Sequence, residues 1–91
     1  MKHILSPQDA EAARDILVEQ LHVQRSQLTP EARFKTDLGA DSLAEMEIAM
    51  AMEDRFNVTI PDEQWPSDAT VGHLFEILAE LLATQQTMPP A

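Results

Sequence analysis

The residue best placed to do chemistry is Ser42, which a glycine-containing turn delivers to the start of a helix in the stretch from Thr36 to Phe56. Gly39 supplies the backbone freedom for that turn. Asp41 or Ser42 can cap the helix, and Ser42-Leu43-Ala44-Glu45 fits the reciprocal capping-box pattern. On spacing alone, capping is the commoner role of such a serine. A serine nucleophile needs a base to activate it, and no Gly-x-Ser-x-Gly elbow is present to hold one. Asp37, Gly39 and Asp41 share residue types with a calcium loop. The twelfth position counted from Asp37, however, is Ile48, where a bidentate Glu is required.

The helix that positions Ser42 has two faces. No Gly or Pro interrupts Ser42 to Phe56, and most of its residues are strong helix formers. On a wheel of about 100° per residue with Ser42 at zero, Ile48, Ala49, Met52 and Phe56 cluster into an apolar stripe suited to a core. Leu43, Met46, Glu47, Met50, Glu53 and Asp54 lie on the other side, within about 140° of the serine. A merely solvated face would be polar throughout. This one mixes Leu and Met with three carboxylates.

Charge is distributed in the same sense. Residues 1–35 carry five acids and five bases, whereas residues 36–91 carry eleven acids and one base, Arg55, so the net charge of −10 lies in the second part. Such a field repels nucleic acid and anionic membranes and attracts basic protein surfaces. With 91 residues there is room for one small domain, and 44% hydrophobic residues allow a modest core. The absence of Cys excludes disulfides and thiolate metal sites. No signal peptide is visible and no apolar run approaches the roughly 18 residues of a membrane span, so a cytoplasmic protein with no membrane insertion is expected.

The remaining elements read as helices. Ser6 as N-cap and Pro7 at the first position open a helix expected to end near Leu21, with Ala13, Ile16, Leu17 and Leu21 buried and His22 at its carboxyl end. Val23 to Ala40 reads as a long connection pinned by Val23, Leu28, Phe34 and Leu38, with a helical turn beginning at Thr29-Pro30-Glu31. Val58 and Ile60 are expected as core plugs in a loop. Pro61 to Trp65 reads as a short third helix ended by Pro66. A last helix is expected from Asp68 or Thr70 to about Ala83 on the stripe Val71, Leu74, Phe75, Leu78, Leu81 and Leu82, with Gly72 a weak spot of about 1 kcal/mol and His73 facing solvent. The expected fold is all-α, a small four-helix bundle of three longer helices and one short one, with a long loop between the first two. The domain is expected to span residues 1–83, with residues 84–91 expected as a flexible tail.

Asp37-Leu38-Gly39-Ala40-Asp41-Ser42-Leu43, followed by Glu47, Met50, Glu53, Phe56 and Ile60-Pro61-Asp62-Glu63, resembles the acyl carrier proteins, most closely the discrete bacterial type of fatty-acid synthesis. The resemblance runs from about residue 8 to residue 83. It implies that Ser42 carries 4′-phosphopantetheine and that Asp41 is read by the modifying enzyme, where it helps position Mg²⁺. The metal and the catalytic groups belong to that enzyme. Acyl groups would ride as thioesters on the thiol of the arm, which accounts for a carrier without Cys. A helix amino terminus tolerates the phosphodiester, because its first N–H groups lack intrahelical acceptors and the dipole favours an anion.

The implied partners are a phosphopantetheinyl transferase, a ketosynthase and other acyl-processing enzymes with basic surfaces, met by a monomer. Leu43, Met46, Glu47, Met50, Glu53 and Asp54 would form the docking face, with Met suited to several partners. The family implies an acyl chain entering near Met52 and Ile60, where Trp65 and Phe75 would set its depth. A carrier dedicated to polyketide, modified-lipid or aminoacyl chemistry is the second reading: Asp68 stands where the housekeeping pattern often has an apolar residue. Two further readings are weaker. A serine hydrolase is suggested by likeness to the Gly-Asp-Ser-Leu esterases, but Ala40 separates Gly39 from Asp41 and no Asp-x-x-His follows. The other is an acidic calcium-binding module.

Overall fold

The computed structural model describes residues 4–87, in which three α-helices and two short 3-10 turns surround one core. The first helix, α1, spans Pro7–Leu21. The hydroxyl of Ser6 accepts the Asp9 N–H at 3.2 Å, and the left-handed His22 (φ 56°) closes the other end. The second helix, α2, spans Ser42–Phe56 and ends at Asn57, also left-handed. The third, α3, spans Val71–Thr87. Leu17 of α1, Ile48 and Met52 of α2, and Leu74 and Leu78 of α3 are fully buried together, as the helical spacing of their stripes requires.

The long connection is anchored more elaborately than its spacing suggests. Leu28, Phe34 and Leu38 are buried and Val23 packs at the margin, as expected, but Ala32 and Ala40 are buried too. The backbone of this segment pairs with the residues leading into α3. Phe34 N–H donates to Ala69 C=O, Val71 N–H to Ala32 C=O and Gly72 N–H to Pro30 C=O, each at 3.0 Å. Arg33 and Thr70 form an isolated antiparallel bridge, and Arg33 reaches Asp68 at 3.5 Å. Thus Asp68, which departs from the family pattern, serves here as an exposed ion-pair partner.

Several local expectations change. The helical turn of the connection lies at Arg25–Gln27, where Gln24 and Gln27 cap each other reciprocally, while Thr29 to Ala32 closes as a single turn. The short third helix is only a 3-10 turn, Asp62–Gln64, because Pro66 disfavours helical backbone at Trp65 and stops further extension. Helix α3 runs past Ala83 to Thr87, since no Gly or Pro interrupts the chain before Pro89. The rest of the expected tail, residues 88–91, lies outside the described residues, as do residues 1–3.

Gly72 has a reason to be glycine. A Cβ there would sit 3.0 Å from the Pro30 carbonyl oxygen, so its lack of a side chain lets α3 dock on the connection. His73 is exposed, as expected, but is not idle. Its Nδ1 accepts the Thr70 N–H and its own N–H donates to the Thr70 hydroxyl, both at 3.1 Å, a reciprocal cap for α3. Among the described residues, no helix is long and apolar enough to cross a membrane.

Candidate functional site

The cap of α2 is Asp41. Its carboxylate accepts the Ala44 N–H at 2.8 Å, and its carbonyl accepts the Glu45 N–H at 2.9 Å. Of the two capping residues open on sequence grounds, the geometry takes the aspartate, because Gly39 (φ 70°) turns the chain so that Asp41 is the last extended residue before the helix. Ser42 therefore occupies the first helical position, exposed and outside the capping arrangement. Of the first-turn N–H groups, that of Ala44 is taken by Asp41, while those of Ser42 and Leu43 lack an acceptor within the helix. An exposed hydroxyl beside such donors can carry a phosphate ester with part of its charge compensated.

Beside Ser42 a groove of about 250 Å³ runs between α2 and the segment after it, lined by Ser42, Glu45, Met46, Ala49, Met50, Glu53, Ile60, Pro61 and Trp65. Six of these nine residues are apolar. Trp65 closes one side, stacked on Phe34 with ring centroids 5.6 Å apart, and its indole N–H donates to Glu45 Oε1 at 3.2 Å. Glu53 closes another by accepting the Ile60 N–H at 2.7 Å, which pins the loop that follows α2. A serine hydroxyl at the rim of an apolar groove suits a tether whose cargo is greasy.

Of the four residues expected around an acyl chain, Ile60 and Trp65 line this groove. Met52 and Phe75 do not. Met52 is fully buried on the core side of α2, and Phe75 lies against the guanidinium of Arg14, 5.3 Å from its ring centroid. Their helical stripes turn them inward, Met52 fully buried and Phe75 half-buried. The groove residues missed were Glu45, Ala49 and Pro61. Glu45 falls on the same arc of the wheel as Ile48 and Met52, so its burial could have been read from spacing.

Leu43, Met46 and Met50 are 63%, 60% and 61% exposed, unusually high for large apolar side chains on a helix that also faces a core. Glu47 and Asp54 are exposed among them, giving a mixed apolar and acidic surface next to Ser42. Glu53 differs from the other acids of this set: it is half-buried and engaged with Ile60. Among the described residues no group of three or more His, Asp or Glu side chains is arranged to hold a metal ion.

Residues 11–78 match the family described as "Phosphopantetheine attachment site". Over 65 residues the chain is 46% identical to the acyl carrier protein of Helicobacter pylori strain J99, covering 71% of this chain and 83% of that protein. The acyl carrier protein of H. pylori strain G27 matches with the same identity and coverage.

Proposed function

From the premise that the chain belongs to the acyl carrier proteins, with 4′-phosphopantetheine as its prosthetic group, we propose that Ser42 is the attachment residue and that the acidic, methionine-bearing face of α2 presents the cargo. The observation that carries this is the pairing of an exposed Ser42, relieved of capping by Asp41, with an apolar groove at its side. Ser42 Oγ forms a bond to phosphorus as the pyrophosphate link of coenzyme A breaks. The hydroxyl proton passes to the modifying enzyme, and the nucleotide half of coenzyme A leaves. Once bound, the group supplies a thiol on a flexible arm for acyl groups of the fatty-acid-synthesis type.

This chain's own residues hold, shield and present. Asp41 fixes the start of α2 and remains exposed for the modifying enzyme to read, where Mg²⁺ is held. Ile60 and Trp65 wall the groove that takes the acyl chain. Leu43, Met46 and Met50 give adaptable apolar contact, and Glu47 and Asp54 give charge for basic partners such as the transferase and a ketosynthase. Glu53 contributes mainly by bracing Ile60. In this reading the protein is a cytoplasmic monomer and not itself a catalyst.

Incubation of the wild type with a phosphopantetheinyl transferase, coenzyme A and Mg²⁺ adds one phosphopantetheine mass. Glu47→Lys slows that addition at low salt by about tenfold, since reversing one charge both removes an attraction and adds a repulsion. The deficit shrinks as salt shortens the screening length, to about 10 Å at 0.1 M and less at higher salt. Equal low-salt rates for the two proteins would remove this face from docking.

A further inference from the structure

Among the described residues Glu45 is the only buried charged side chain, 8% exposed, and it lines the groove beside Ser42. One oxygen is occupied: Oε1 accepts the Trp65 indole N–H at 3.2 Å. The other, Oε2, is buried without a hydrogen-bond partner. A buried carboxylate oxygen left unmet is costly, and natural folds rarely keep one without a use. Among the described residues no lysine, arginine or histidine lines the groove, and the other charged residue lining it is the acid Glu53. Oε2 is therefore an acceptor that no described residue meets.

What enters this groove, on the reading that Ser42 is the tether, is the acyl cargo. A plain saturated chain lying beside Glu45 gives Oε2 nothing to bond. A chain bearing a hydroxyl near its attached end gives it a donor while the rest of the chain lies against Met46, Ala49, Ile60 and Trp65. We propose that Glu45 is a specificity-determining residue that makes the groove prefer hydroxyacyl cargo over the saturated chain of equal length. Discrimination of this kind is large when a buried polar group would otherwise stay unpaired. Trp65, the sole tryptophan of the chain, reports on it directly, because its indole shares the Glu45 carboxylate.

The test loads wild type, Glu45→Gln and Glu45→Leu with the bare arm, a β-hydroxyacyl arm or the matching saturated acyl arm. Intact mass first establishes loading; melting temperature and Trp65 emission are then recorded. In the wild type the hydroxyacyl form melts about 4–8 °C above the saturated form, the shift expected of one added buried hydrogen bond in a domain this size. Glu45→Gln keeps the preference, because a hydroxyl pairs with either end of an amide, and Glu45→Leu loses it. Equal melting of the two loaded wild-type forms would overturn the proposal. So would a bare arm that stabilises as much as the hydroxyacyl form, which would assign the donor to the arm. Failure to load at all would instead strike the reading of Ser42, and this preference with it.

Discussion

Ser42→Ala takes up no phosphopantetheine under conditions that load the wild type completely, and it melts at the wild-type temperature. Both halves follow from the start of α2. Among the described residues lining the groove, the only hydroxyl is removed, so the transferase has no oxygen to modify there. The fold keeps its cap, because the Ala44 N–H is held by Asp41 and not by the serine. Alanine at an exposed first helical position changes stability by no more than about 0.5 kcal/mol. Were Ser42 the cap, its loss would cost about 1 kcal/mol and lower the melting temperature by about 4–8 °C. Intact mass and a thermal melt on the same sample separate the two roles. A modified Ser42→Ala protein would place the arm elsewhere.

Phe34→Ala destabilises the protein by about 3–5 kcal/mol, close to the whole stability of many small domains. Phe34 is fully buried, although it lies in the long connection and not in a helix. Its ring supports Trp65, and its backbone joins Ala69 on one side and accepts the Ala40 N–H at 2.7 Å on the other. Truncation leaves a cavity between the connection and the core and removes the backing of one groove wall. Urea denaturation followed by circular dichroism checks the magnitude, with Lys35→Ala, an exposed neighbour, as the control that stays within about 0.5 kcal/mol. A Phe34→Ala midpoint equal to that control would mean that the connection is not part of the core.

These two residues also show what the sequence makes legible. Ser42 stands out because its signals are local: a turn glycine, a capping residue, a helical stripe and a seven-residue motif lie within one short stretch. The ends of α1 are legible for the same reason, since Ser6 and Pro7 act on their immediate neighbours. The exposure of Leu43, Met46 and Met50 follows from the helical period alone. What resists reading is non-local. That Gly72 is needed for close approach depends on Pro30, far away in the chain. The ladder from Pro30 to Phe34 depends on a partner segment with no strand signal of its own.

The groove shows both kinds of behaviour. Trp65 and Ile60 belong to it, whereas Met52 and Phe75, equally apolar, turn into the core or toward α1, because only the packed helices decide which side of a stripe meets a cavity. Glu45 was legible by its angle on the wheel, yet a carboxylate is not expected inside without a partner. Its partner, the Trp65 indole, lies twenty residues on. The expected short helix is present only as a 3-10 turn for a simpler reason: Pro66 disfavours helical backbone at Trp65.

The central claim is that the Ser42 oxygen is a tether, and protein purified from its native cell tests it most directly. Proteolysis and fragment mass analysis should find phosphopantetheine, with or without an acyl group, on the peptide containing Asp41-Ser42-Leu43 and fixed to the serine. Native protein whose Ser42 is always bare, in a cell with an active transferase and ample coenzyme A, would contradict the account.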